Sequence, residues 1–152
     1  MKKIITALAA VALTFGAAIS EAPSADAFNF GLPAPENLAS AEVDIFNSVN
    51  AIRAEAGMHT LAWNDGLANS SRSWAQTSAV RDQLAHDPEA LNLSDMENVA
   101  VMYNNPRDAV NAWMNSPAHR DNIFNPHAKT MGIGVAKNHA TGGYFITMRG
   151  AY

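Results

Sequence analysis

An α+β domain with helices layered on an antiparallel sheet is what this chain predicts, from three observations. Residues 41–56 and 66–83 carry apolar groups at helical spacing, residues 131–148 alternate in the manner of a β-hairpin, and "NVAVMY" at 98–103 is a candidate third strand.

The first residues stand apart from that fold. Met1-Lys2-Lys3 gives a positive start, the run from Ile4 to Ile19 is apolar and alanine-rich, and Ala25-Asp26-Ala27 has the small-x-small form of a signal-peptidase site. Residues 1–27 therefore read as a signal peptide. The alternative is a membrane anchor, but the run is short for a spanning helix of about 20 residues. Residues 28–152 then form one domain, expected to be secreted as a monomer, extracellular or associated with the cell wall, with no transmembrane anchor after cleavage.

The chain contains no cysteine, so the core must hold without disulfides and no lipid-modified cysteine can tether it. Its formal net charge is −4. Cleavage after Ala27 removes Lys2, Lys3, Glu21 and Asp26 together and leaves that balance unchanged. With no block of Lys or Arg remaining, nucleic acid is not an expected partner, and an anionic membrane surface is disfavoured.

Residues 28–39, "FNFGLPAPENLA", have two prolines and no period, and read as an extended lead-in before a domain at 40–152. Ser40 is placed to cap a helix over 41–56, whose Val43, Phe46, Val49 and Ile52 recur at three-residue intervals and which ends at Gly57. Asn64 or Asp65 caps a second helix, 66–83, with Leu67, Ser71, Trp74 and Ser78 on a face small enough for close approach. Residues 84–97, "LAHDPEALNLSDME", lose all periodicity and read as loop.

Asn105-Pro106 signals a third helix with Val110, Trp113 and Met114 inward, and Ser116-Pro117 repeats the cap-then-proline pattern to start a short turn over 117–123. In the hairpin, Met131, Ile133 and Val135 alternate with Gly132, Gly134 and Ala136. One face is nearly bare, so a helix or neighbouring backbone is expected to pack tightly against it.

Five histidines are present. His59, His127 and His139 sit in turn-like stretches and read as solvated. His86 and His119 lie instead beside Asp, Asn or Arg at the ends of structured segments, and Glu97 directly precedes a predicted strand. Two imidazoles and a carboxylate gathered in one cleft could ligate a divalent cation such as zinc with an open fourth position. Alternatively the carboxylate fixes the tautomer of one ring and leaves its other nitrogen for a ligand. Spacing alone does not bring the three together, because no HExxH pair is present and they lie on three separate elements.

"ENVA" at 97–100, "AVNAWMNSPAHRDNIFNP" at 109–126 and "MGIGVA" at 131–136 resemble the CAP superfamily, or SCP domain, of cysteine-rich secretory proteins, antigen 5 and pathogenesis-related proteins. The likeness extends upstream through "FNSVNAIRAEAGMHTLAWNDGLANSSRSWA" and "LAHD", and is greatest toward the bacterial secreted branch, which commonly lacks disulfides. It implies a three-layer α-β-α sandwich with a central antiparallel sheet, and a cleft lined by two histidines and two glutamates. His86, Glu97 and His119 match three of those four. Ser116 stands where the second glutamate is expected, which puts full four-residue metal or acid/base behaviour in question; Asp87 or Glu89 could replace it only if the 84–97 loop folds inward.

The resemblance implies binding of a small molecule, lipid, cell-envelope component or divalent cation at His86, Glu97, His119 and Ser116. Met102, Tyr103 and Met114 are candidates for an apolar groove, and Trp113 reads as core. A metal-assisted hydrolase is the alternative, with His86 and His119 as ligands and Glu97 as ligand or general base, and an interaction protein facing the envelope or a host, with a vestigial cleft, is another. Ser116 is not read as a nucleophile, because Ser before Pro at a helix start is ordinarily a cap and no G-x-S-x-G elbow is present.

Overall fold

The computed structural model describes residues 37–152. The expected signal peptide and most of the lead-in lie outside that range. In chain order the elements are α1 (Leu38–Glu55), β1 (Ala62–Trp63), α2 (Asp65–Arg81), α3 (Ala90–Leu93), β2 (Met96–Met102), α4 (Asp108–Met114), α5 (Pro117–Ile123), β3 (Thr130–Lys137) and β4 (Tyr144–Ala151). They form a three-layer α-β-α sandwich. The sheet runs β1-β3-β4-β2 and is mixed rather than purely antiparallel, since the two residues of β1 pair parallel to β3 while β3, β4 and β2 are antiparallel.

Helix α1 begins earlier than expected. Asn37, not Ser40, is the cap, its side chain accepting from the Ser40 amide at 2.8 Å. The inward face also differs: Ala41, Ile45, Val49 and Ile52 are buried, whereas Val43 is 52% exposed. A strict three-residue interval drifts around a helix of 3.6 residues per turn, so Val43 leaves the core face that Val49 and Ile52 share. Asn64 caps α2 by accepting from the Leu67 amide at 3.0 Å.

The hairpin's bare face does receive a helix. A Cβ added to Gly132 would lie 2.1 Å from the Ala68 amide nitrogen, and one on Gly134 2.1 Å from that of Arg72. Helix α2 therefore rests backbone to backbone on β3, and the Ser71 hydroxyl donates to the Gly132 carbonyl at 3.2 Å. Ala75 and Ala79 continue the contact onto Ala136 and Phe145. The opposite face is larger and more apolar: Met131, Ile133, Val135, Ile146 and Met148 pack with α1, α4 and α5, and Trp113 is buried there as expected.

β2 is an edge strand, and α4 and α5 occupy part of its outer rim. The Trp113 indole N–H donates to the Val99 carbonyl at 3.1 Å, and the Asn122 amide reaches the Glu97 carbonyl at 3.2 Å. The segment read as loop at 84–97 contains α3 and the first residues of β2, both too short to show a period. In α4 the helix proper starts only at Asp108, because Asn105 caps a preceding turn, accepting from the Arg107 amide at 3.1 Å.

Candidate functional site

Successive side chains of a strand point to opposite faces, and at the start of β2 this places two functions back to back. Glu97 faces the α2 side, where Arg149 of β4 is its direct cross-strand partner and Gly132 lies beyond. Asn98 faces the α5 side and donates to the His119 carbonyl at 2.9 Å, while accepting from the Asn122 side chain at 2.7 Å. His86 arrives from the segment after α2 and His119 from α5. Their ring centroids lie 6.2 Å apart.

Glu97 holds the arrangement together. Its Oε1 accepts from His86 Nδ1 at 2.9 Å and from the Asp87 amide at 3.0 Å; its Oε2 accepts from Arg149 Nε at 3.1 Å and Nη2 at 2.9 Å. Arg149 is fully buried and also donates to Asp87 through Nη2. Asp87 thus folds inward as a second carboxylate, whereas Glu89 is exposed and accepts from Asn92. A carboxylate has only lone pairs to offer, so Nδ1 of His86 carries the hydrogen, and in the neutral ring Nε2 is an acceptor. The His86 side chain is 60% exposed.

His119 has a different setting. It is half-buried, and burial first, then the neighbouring His86, holds its pKa below the ordinary imidazole value. The neutral ring is therefore favoured at neutral pH. Ser116 occupies the backbone position of a cap for α5, but its hydroxyl makes no capping hydrogen bond.

A cleft of about 550 Å³ opens beside these residues. His86, Asp87, Asp95, Glu97 and Asn122 form its polar lining, and Pro88, Ala90, Leu91, Met96 and Ala118 its apolar lining. His119, Ser116, Met102, Tyr103 and Met114 are not among the lining residues; the His119 ring stands beside that of His86, Met102 and Met114 belong to the core, and Tyr103 is 62% exposed elsewhere. Sequence reasoning missed Asp95, Asn98, Asn122 and Arg149. Arg149 could be recognised only from the strand register that sets it opposite Glu97.

Among the described residues, no group of three or more His, Cys, Asp or Glu side chains is arranged to hold a metal ion. Both Glu97 oxygens are engaged, so the two-imidazole-plus-carboxylate ligand set is not assembled. The donors present do not fit an open three-ligand zinc site.

Comparison with known proteins agrees with this architecture. The family model described as "Cysteine-rich secretory protein family", CAP, matches residues 46–149. The chain belongs to this family. A relative from Bacillus subtilis (strain 168), the uncharacterized protein YkwD, is 29% identical over 133 residues, covering 78% of this chain and 52% of YkwD. The CAP chain thus spans about half the length of that curated relative.

Solved CAP-like folds include an extracellular protein containing a SCP domain from Bacillus anthracis (TM-score 0.65, 21% identity, 76% of this chain and 41% of that one). Another is an outer surface protein from Borrelia burgdorferi (TM-score 0.58, 16% identity, 70% and 89%). At such identities the likeness is one of fold. Among the described residues of this CAP protein, no helix is long and apolar enough to cross a membrane.

Proposed function

We infer that this CAP domain is an extracellular binding module whose cleft takes a small amphipathic molecule, seated with its polar end at His86 and its apolar part against Met96, Leu91 and Ala118. The observation that carries this reading is the Glu97 clamp, which turns His86 so that Nδ1 faces inward and Nε2 faces the solvent side. An acceptor held in a fixed direction beside an apolar wall is what orients an amphipathic ligand. The extracellular and outer-surface descriptions of the Bacillus anthracis and Borrelia proteins support export, as does the signal-peptide pattern of residues 1–27.

Binding is favoured over hydrolysis on chemical grounds. A general base needs a lone pair free to accept a proton, and Glu97 already accepts four hydrogen bonds, two of them from a buried guanidinium. Glu97 is therefore not free to join His86 and His119 in a metal-assisted mechanism.

The test uses the secreted full chain with decanol as a neutral amphipathic probe, followed through the His86 and His119 ring resonances. Decanol should shift the His86 resonance, and A118W, which puts an indole into the cleft, should abolish the shift. Equal decanol binding by A118W would place the ligand elsewhere and refute the reading.

A further inference from the structure

Resting on the cleft being the binding site, a further property of the ligand follows from the charges around it. Asp87, Asp95 and Glu97 line the cleft, and among the described residues the lining contains no Lys or Arg. Arg149 is the cation bonded to two of these carboxylates. It is fully buried behind Glu97, it bonds to Glu97 and Asp87, and even its unpartnered Nη1 is sealed from solvent. An anionic head group entering the cleft would thus approach three carboxylates without reaching the guanidinium.

The imidazoles do not reverse that balance. Glu97 takes the Nδ1 hydrogen of His86, so the neutral ring presents a lone pair at Nε2. Asp95 is exposed at the rim, with Oδ2 accepting from the Tyr152 amide at 3.0 Å. A lone pair and a carboxylate beside an apolar wall complement a head group that is positively charged and carries N–H donors.

We propose that the cleft selects a primary ammonium group attached to an apolar segment: the ammonium donates to His86 Nε2 beside Asp95, and the chain lies along Met96, Leu91 and Ala118. The same surroundings disfavour a fatty carboxylate of equal length. A quaternary ammonium, lacking N–H, keeps the charge attraction but cannot bond to Nε2.

Calorimetric titration of the secreted full chain at low ionic strength, with probes below their micellar concentration, tests this. Decylammonium should bind at least about tenfold more tightly than decanoate, with decyltrimethylammonium and decanol between them. D95N retains an acceptor for the Tyr152 amide but loses the charge; it should weaken decylammonium several-fold and weaken it more than it weakens decanol. Decanoate binding as tightly as decylammonium, or an unaltered decylammonium affinity in D95N, would overturn the charge selection while leaving the amphipathic cleft standing. Failure of all four probes, decanol included, would overturn both.

Discussion

His86 Nδ1 lies 2.9 Å from Glu97 Oε1, and the other oxygen of that carboxylate is held by the fully buried Arg149. A ring at the mouth of the cleft is thereby connected to a charge inside the sheet. Because Glu97 and Arg149 are direct cross-strand partners, the orientation of His86 depends on β-sheet register as well as on the segment that carries it.

Removing the charge of Glu97 should therefore be costly. In E97Q, Arg149 stays buried with Asp87 as its one remaining carboxylate, and breaking such a pair typically destabilises by about 3–5 kcal/mol. Urea unfolding of E97Q, R149M and the double variant checks this. The double variant should be less destabilised than the two single changes added together, because no guanidinium stays buried beside a neutralised Glu97 and the loss of the Arg149–Asp87 bond is counted once.

Two kinds of glycine should respond differently to alanine. At Gly132 and Gly134 the new Cβ meets the α2 backbone, which cannot rotate aside as a side chain would, so a loss of about 3 kcal/mol is expected, at the top of the overpacking range. Gly57 has φ +72° and nothing within 4 Å of an added Cβ, so G57A should cost only the left-handed backbone penalty of about 1–2 kcal/mol. Thermal melts of the three variants give the comparison.

Arg53 holds the end of α5. Fully buried in α1, it donates to the carbonyls of Ile123 at 2.7 Å, Asn125 at 3.0 Å and His59 at 2.9 Å, and burial lowers its pKa. In R53M these acceptors lose their donor, at a cost of about 3 kcal/mol. Since His119 lies on the same short helix, its ring resonance should shift in R53M, an effect that general destabilisation would not produce under fully native conditions.

The depressed pKa of His119 makes a contribution to stability that depends on pH. In the unfolded chain its imidazole returns to the ordinary value of about 6.5, so on acidification the unfolded state takes up the proton first. The contribution is complete above that value and is lost as pH falls through the lower folded pKa. Urea midpoints measured against pH should fall more steeply toward acid for the native chain than for H119Q.

Much of this fold is legible in the sequence because its devices are local. Pro117 marks the start of α5, Asn64 caps α2, and the glycines of β3 announce a closely packed neighbour. The face of α1 was harder to read, since Ile45 and Val43 are both apolar and only the accumulated helical phase separates them. In the site, His86, Glu97 and His119 are visible as residue types, and the CAP resemblance brings them together. Arg149 and Asn98 are not visible in this way: their roles depend on strand pairing and on which side of an edge strand α5 crosses. Met96 and Asp95 became cleft residues only because α3 and β2 replace the expected loop.

The most direct measurement is the tautomer of His86, read from nitrogen chemical shifts and ring correlations in protein labelled at histidine. At a pH where the ring is neutral, Nδ1 should carry the hydrogen and Nε2 should be bare, with that preference lost in E97Q. A native His86 protonated at Nε2, or one equally divided between the two forms, would contradict the clamp and leave the cleft without its oriented acceptor.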